Sequence, residues 1–332
     1  MMIAKHGPSR LAAIALAYAS VLVLFLSHAV TNAAEPVVTL RGHEDMIMGL
    51  AFSPDGNLLA SGSHDGTVRL WDVAKRSQRK VLRGHKKGDF VLSVAFSRDA
   101  KVLASGGSDK TVALWNMATG EQQTSFGGHS DSVMAVAFSP SSDILASSAA
   151  AEIFIWDVLT GKRIGNLQAS SPQPTELVFF PDGKTLASAG FAKPIELWDV
   201  EKRSKRMDLK GEDSPKLAMT LSPDGKTIVA SGTKGTVVAW DALSGAMRGQ
   251  VGGARAENVL SLAFLPDNKT IVTSSMKGAR TCDLKAGKEL QFFPVREGAN
   301  GTVTSIAVSP DGNTLAISDL FEIKLFRLTS EK

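Results

Sequence analysis

Within residues 58–73, LLASGSHDGTVRLWDV, Ser61, His64 and Asp65 bring the nucleophile, base and orienting acid of a charge-relay hydrolase into five positions. In such a relay the histidine takes the serine proton while the carboxylate fixes the tautomer of the ring. The stretch would serve acyl transfer only if the three side chains converged. His64 and Asp65 are adjacent on one tight turn, where successive side chains diverge, and no third group stands ready to orient the imidazole. Whether these residues act or merely support depends on the elements that carry them, and so on whether the pattern recurs.

It recurs. The five tryptophans, Trp71, Trp115, Trp156, Trp198 and Trp240, lie 41 to 44 residues apart, and Cys282 and Phe326 continue the series. A second landmark runs in phase: AFSPDG at 51, AFSRDA at 95, AFSPSS at 137, FFPDG at 179, TLSPDG at 220, AFLPDN at 263 and AVSPDG at 307. Seven copies at a period of about 42 residues indicate a single repeat domain. Each copy reads as strand and turn throughout: alternating VLSVAF, a PDG turn, small-residue TLASG, then TVRLWDV and a last short strand such as KVLRG. A four-stranded unit cannot bury both faces alone, whereas seven units packed radially cover one another. The expected fold is all-β: a seven-bladed β-propeller of four-stranded antiparallel blades.

These residues resemble the WD-repeat family of β-propellers over residues 37–328, most specifically in LRGH...LWDV at 40–73 and LRGH...LWNM at 82–117. The resemblance implies that an N-terminal strand, PVVTL at 36–40, closes the ring as the outer strand of the last blade. It also implies a structural tetrad of histidine, serine, aspartate and tryptophan. Copy one offers His43, Ser61, Asp65 and Trp71; copy two offers His85, Ser105, Asp109 and Trp115. The aspartate persists in copy two where His64 has become Ser108, so the partner expected for Asp65 is His43. In copy three His129, Ser147 and Trp156 persist, but Ala150 stands in the aspartate position. Copies four to seven lack both the histidine and the aspartate, and apolar packing is expected to hold them.

Residues 1–34 are a separate object: a basic start with Lys5 and Arg10, the apolar run LAAIALAYASVLVLFL, then small residues. This reads as an export signal, with cleavage after Ala29 or Ala33, or after Ala34 with the less suitable Asn32 at minus three, and hence as a periplasmic or secreted protein whose propeller occupies 35–332. The alternative is an uncleaved anchor, since residues 11–30 are long enough to span a bilayer, and only then would the chain meet a membrane. The lone cysteine, Cys282, excludes an intrachain disulfide and reads as a small hydrophobe on a strand, with a reactive thiol as the rival. Net charge is +4, and setting aside Lys5 and Arg10 lowers it to +2, too little to argue for nucleic acid. No spacing suggests a metal or haem site or a phosphate loop, so no cofactor is expected.

The function expected from the resemblance is a monomeric, non-catalytic scaffold for protein or peptide partners. The alternatives are a receptor for a small molecule or glycan, or an enzyme, using the channel mouth. The candidate partner surface lies at turns between second and third strands, where Phe191, Met276, Leu320 and Phe321 replace polar residues, with Phe90 extending it. The bland reading is that these side chains fold down into space the missing histidines vacate. Two basic stretches, KRSQRK at 75–80 and EKRSKR at 201–206, are expected on turns between third and fourth strands, as solvated charge or as a docking point for an acidic surface.

Overall fold

The structure, a computed structural model, describes residues 34–190, 194–209, 216–231, 235–251, 258–295 and 303–328. Among them are seven four-stranded antiparallel sheets. Blade one comprises β2 (Ile47–Phe52), β3 (Leu58–Ser63), β4 (Val68–Asp72) and β5 (Ser77–Leu82), in that order from the axis outward. The first strands of successive blades contact one another around a closed ring. Closure comes from β1 (Val38–Arg41), which pairs antiparallel with β28 (Glu322–Arg327) in the last blade, Leu40 facing Ile323. Joining the two ends of the chain in one sheet leaves no open blade edge between them.

The repeated tryptophan explains the spacing of the blades. Trp115 packs in a cluster with Leu70 and Leu82 of the blade before it, and Trp71, Trp156, Trp198 and Trp240 do the same at their own interfaces. Each indole is buried. Burial of ~200 Å² of mostly apolar surface at ~25 cal/mol per Å² stabilises the interface by about 5 kcal/mol. Phe326 fills the same place against Phe293, whereas the smaller, half-buried Cys282 borders the cluster between blades five and six.

The turns after the first strands also form a ring. Ser53 Oγ donates to Asp55 and accepts the Leu58 amide at 2.9 Å, and Gly56 takes a positive φ of 73°. Six blades place a proline one residue after the strand-terminal serine or its equivalent: Pro54, Pro140, Pro181, Pro223, Pro266 and Pro310; blade two has Arg98. The turn glycines nestle on prolines of the preceding blade, and a Cβ on Gly225 would lie 2.8 Å from Pro181. Two blades without that glycine tie the ring differently. Ser142 Oγ accepts the Arg98 amide at 2.8 Å, and Asn268 Oδ1 accepts the Asp224 amide at 2.9 Å.

Antiparallel order puts these PDG turns and the turns between third and fourth strands on one face, hereafter the PDG face. The turns between second and third strands and the loops between blades occupy the opposite, tetrad face. The basic stretches differ from expectation: only Lys75–Arg76 and residues 201–203 lie on turns, while Arg79, Lys80, Lys205 and Arg206 lie along exposed outer strands. The turn keeps the register of the other blades, with Arg76 and Arg203 taking the positive φ that Gly120 and Gly161 take there, so the rest of each basic stretch falls on the fourth strand.

Candidate functional site

In blade one a chain of hydrogen bonds runs from core to surface. Trp71 Nε1 donates to Ser61 Oγ at 2.9 Å, Ser61 Oγ lies 2.6 Å from His43 Nε2, and His43 Nδ1 lies 2.7 Å from Asp65. The arrangement is self-consistent for a neutral imidazole that accepts from Ser61 and donates through Nδ1 to Asp65. Burial lowers the His43 pKa and favours that neutral form. Burial also works against the Asp65 carboxylate, but donors from His43, Thr67 and the Glu44 amide outweigh it and hold its pKa well below the usual range.

This geometry decides the chemistry of the opening stretch. The Ser61 hydroxyl is fully buried and engaged on both sides, so no carbonyl carbon can approach it. His64 does not join it. Its ring stacks on Phe90 at 4.2 Å, and its amide donates to the Met46 carbonyl at 2.8 Å.

Blade two repeats the chain: Trp115 to Ser105 at 2.9 Å, Ser105 to His85 at 2.7 Å, His85 to Asp109 at 3.0 Å. Blade three keeps two links, Trp156 to Ser147 at 2.7 Å and Ser147 to His129 at 2.6 Å. There Ser147 and Trp156 are nine residues apart rather than ten, so the intervening turn is one residue shorter and Ala150 takes a φ of 47°. Among the described residues His129 Nδ1 is buried without a hydrogen-bond partner, its ring stacks on Phe154 at 4.2 Å, and burial pushes its pKa down to about 4.

The later blades do not rest on apolar packing alone, contrary to expectation. In blade four Trp198 still donates to Ser188 at 2.9 Å. Ser170 stands where earlier blades have histidine, and buried Glu196 accepts its amide at 3.0 Å and its hydroxyl at 2.6 Å. Blade six pairs Arg280 with Glu289 at 3.2 Å and lays the guanidinium over Phe292; blade seven pairs buried Asp319 with Lys324 at 3.1 Å. Glu196, Arg280 and Lys324 occupy one repeat position, that of Arg69 in blade one. In blades four, six and seven a charged side chain thus reaches from the third strand, whereas blade five has Val238 at that position.

Of the apolar turn residues, Phe90 is 40% exposed, Met276 55% and Phe321 41%; Leu320 is half-buried, and Phe191 lies outside the described residues. Two contacts link them across blades, the Ile47 amide donating to Leu320 O at 2.8 Å and His64 stacking on Phe90, and within blade one the His64 amide donates to Met46 O. The connected part therefore runs over blades seven, one and two rather than four to seven. Sequence reasoning missed two apolar tips on the PDG face, exposed Leu159 and Leu243, each carried at the start of a turn that closes on glycine.

Burial pushes the Cys282 thiol up to about 11, so it is no thiolate at neutral pH. Among the described residues no three His, Cys, Asp or Glu side chains are grouped to hold a metal ion, and no helix is long and apolar enough to cross a membrane. Residues 1–33, which carry the apolar run, lie outside the described residues.

A family model described as IFT122 first beta-propeller matches residues 68–320, more than half of the chain, and one described as WD domain, G-beta repeat matches residues 34–72. The chain is similar to nuclear distribution protein nudF of Emericella nidulans, 36% identical over 158 residues, covering 46% of this chain and 35% of nudF. It is also similar to nuclear distribution protein PAC1 of Arthroderma otae, 28% identical over 162 residues, covering 46% and 35%. A third relative is WD repeat-containing protein slp1 of Schizosaccharomyces pombe, 29% identical over 165 residues, covering 48% and 25%. The matched stretch spans no more than 35% of the length of these relatives.

Proposed function

The chain belongs to the WD-repeat β-propeller family, and from that premise we propose that it is an exported, non-catalytic scaffold that binds protein or peptide partners on its tetrad face. The observation that carries this reading is the linked crescent of Phe321, Leu320, Met46, His64 and Phe90. Exposed aromatic side chains on rigid turns supply contact area at low entropic cost, which is what an interaction site needs. The tetrads support it from below. They satisfy buried polar groups and hold the interblade loops, and because Ser61 and Ser105 are spent on that task they are not nucleophiles in this reading.

Substituting Phe90 and Phe321 by serine in the full chain tests the surface. Affinity capture should lose a defined partner that the parent chain retains, while the melting temperature stays within about 2 °C, as for surface changes. A sharp fall in melting temperature would show instead that these side chains belong to the core.

Export rests on the basic start, the 16-residue apolar run and the small residues at 27–34. Mass spectrometry of the native protein should find a new N-terminus after Ala29 or Ala33. An intact Met1 on membrane-extracted material would make residues 11–30 an anchor.

A further inference from the structure

At the centre of the PDG face the channel opens into a cavity of about 1000 Å³. Its walls come from six of the seven blades, which places it on the axis of the ring. Phe96, Phe138 and Phe179, at or near the inner-strand ends, form an apolar floor, and turn prolines form most of the rim. Arg98 is the one charged side chain among the lining residues. It stands at the repeat position that is proline in the other six blades, and its amide is fixed by Ser142 Oγ at 2.8 Å. Its guanidinium has no hydrogen-bond or ion-pair partner among the described residues, although acidic side chains pair with cations elsewhere on the surface.

We infer that this mouth binds a free amphipathic carboxylate, its hydrocarbon body on the phenylalanine floor and its carboxylate on Arg98. An apolar pocket with a single convergent polar group is the usual form of a small-molecule site, and the volume lies at the upper end of that range. One guanidinium matches one carboxylate through two parallel hydrogen bonds, so a monoanion is paired fully where a phosphate dianion would keep an unpaired charge. Polarity along the axis sets the orientation. Glu176 lies three residues from Phe179 on the same inner strand, Pro174–Phe179, and an acidic side chain there offers an anion no positive partner. The charged end stays at the rim.

The probe is decanoate, kept below its micellar concentration and titrated calorimetrically into the full chain, with decanol as the uncharged control. Decanoate should bind at one site and more tightly than decanol. Arg98→Gln should weaken decanoate by about tenfold, the equivalent of one charge-assisted pair, and leave decanol and the melting temperature unchanged. Arg98→Lys should keep part of the affinity, and Phe138→Ser should weaken both ligands. Decanoate binding that is absent, that equals decanol binding, or that survives Arg98→Gln intact would overturn the assignment; the last outcome would point to non-specific uptake by apolar surface elsewhere.

Discussion

Replacing Asp65 by alanine should destabilise the fold by about 3 kcal/mol, and replacing its neighbour His64 should be close to silent. Asp65 accepts from His43 at 2.7 Å, from the Thr67 amide at 2.9 Å and hydroxyl at 2.6 Å, and from the Glu44 amide at 3.1 Å. Removing the carboxylate strands the His43 donor in a buried site, as well as freeing the loop that Glu44 belongs to, and a stranded buried donor costs about 1–3 kcal/mol. His64 loses only a ring stacked on Phe90 at the surface. Denaturant unfolding of the two variants side by side measures the difference. The depressed Asp65 pKa adds a pH signature: the contribution is present above the unfolded carboxylate value of 3.8 and fades as pH falls below it. Near-equal effects for both variants, or a His64→Ala variant that loses an activity at unchanged stability, would return the opening stretch to the chemistry of a hydrolase.

The architecture was legible because its signals are local and repeated. Tryptophans in register, PDG turns in phase and alternating strands each specify one blade, and seven copies leave radial packing as the arrangement that covers every face. The correct partner of Asp65 was legible for the same reason, since comparison with Asp109 and Ser108 separates what recurs from what does not. What was hidden depends on register across a hairpin or on ring closure. Ser170 with Glu196 and Asp319 with Lys324 are pairs made once each, so no repeat announces them. The shortened turn before Trp156, and with it the stranded His129 nitrogen, shows only when strand pairing is known. Arg98 is an ordinary surface residue until seven turns meet at the axis and six of them prove to carry proline.

Glu176 is the other residue whose meaning appears only in the closed ring, and Glu176→Gln should stabilise the protein. Its repeat position is glycine, alanine or serine in the other blades: Gly49, Ser93, Ala135, Ala218, Ser261 and Ser305. Three of those serines accept an amide from the next blade, as Ser305 Oγ does from Leu50 at 3.1 Å. The Glu176 carboxyl has no such partner among the described residues, and burial raises its pKa to about 8. Below pH 4.5 the group is protonated in both states and costs nothing. Between 4.5 and 8 the unfolded chain releases the proton that the fold retains, so stability falls as pH rises, by up to about 1.4 kcal/mol per unit. His129 works in the opposite direction: buried neutral, it contributes above its unfolded value of 6.5, and that contribution is lost as pH falls through about 4. Glutamine keeps the shape and removes only the ionisation. Unfolding measured at pH 5 and pH 8 should therefore show a gain of up to about 4 kcal/mol at pH 8, shrinking to less than about 1 at pH 5, with the acid-side loss from His129 still present. A gain that is the same at both pH values would mean that the substitution relieves crowding rather than charge, and no gain at pH 8 would place the carboxylate in water at the channel rather than in the wall.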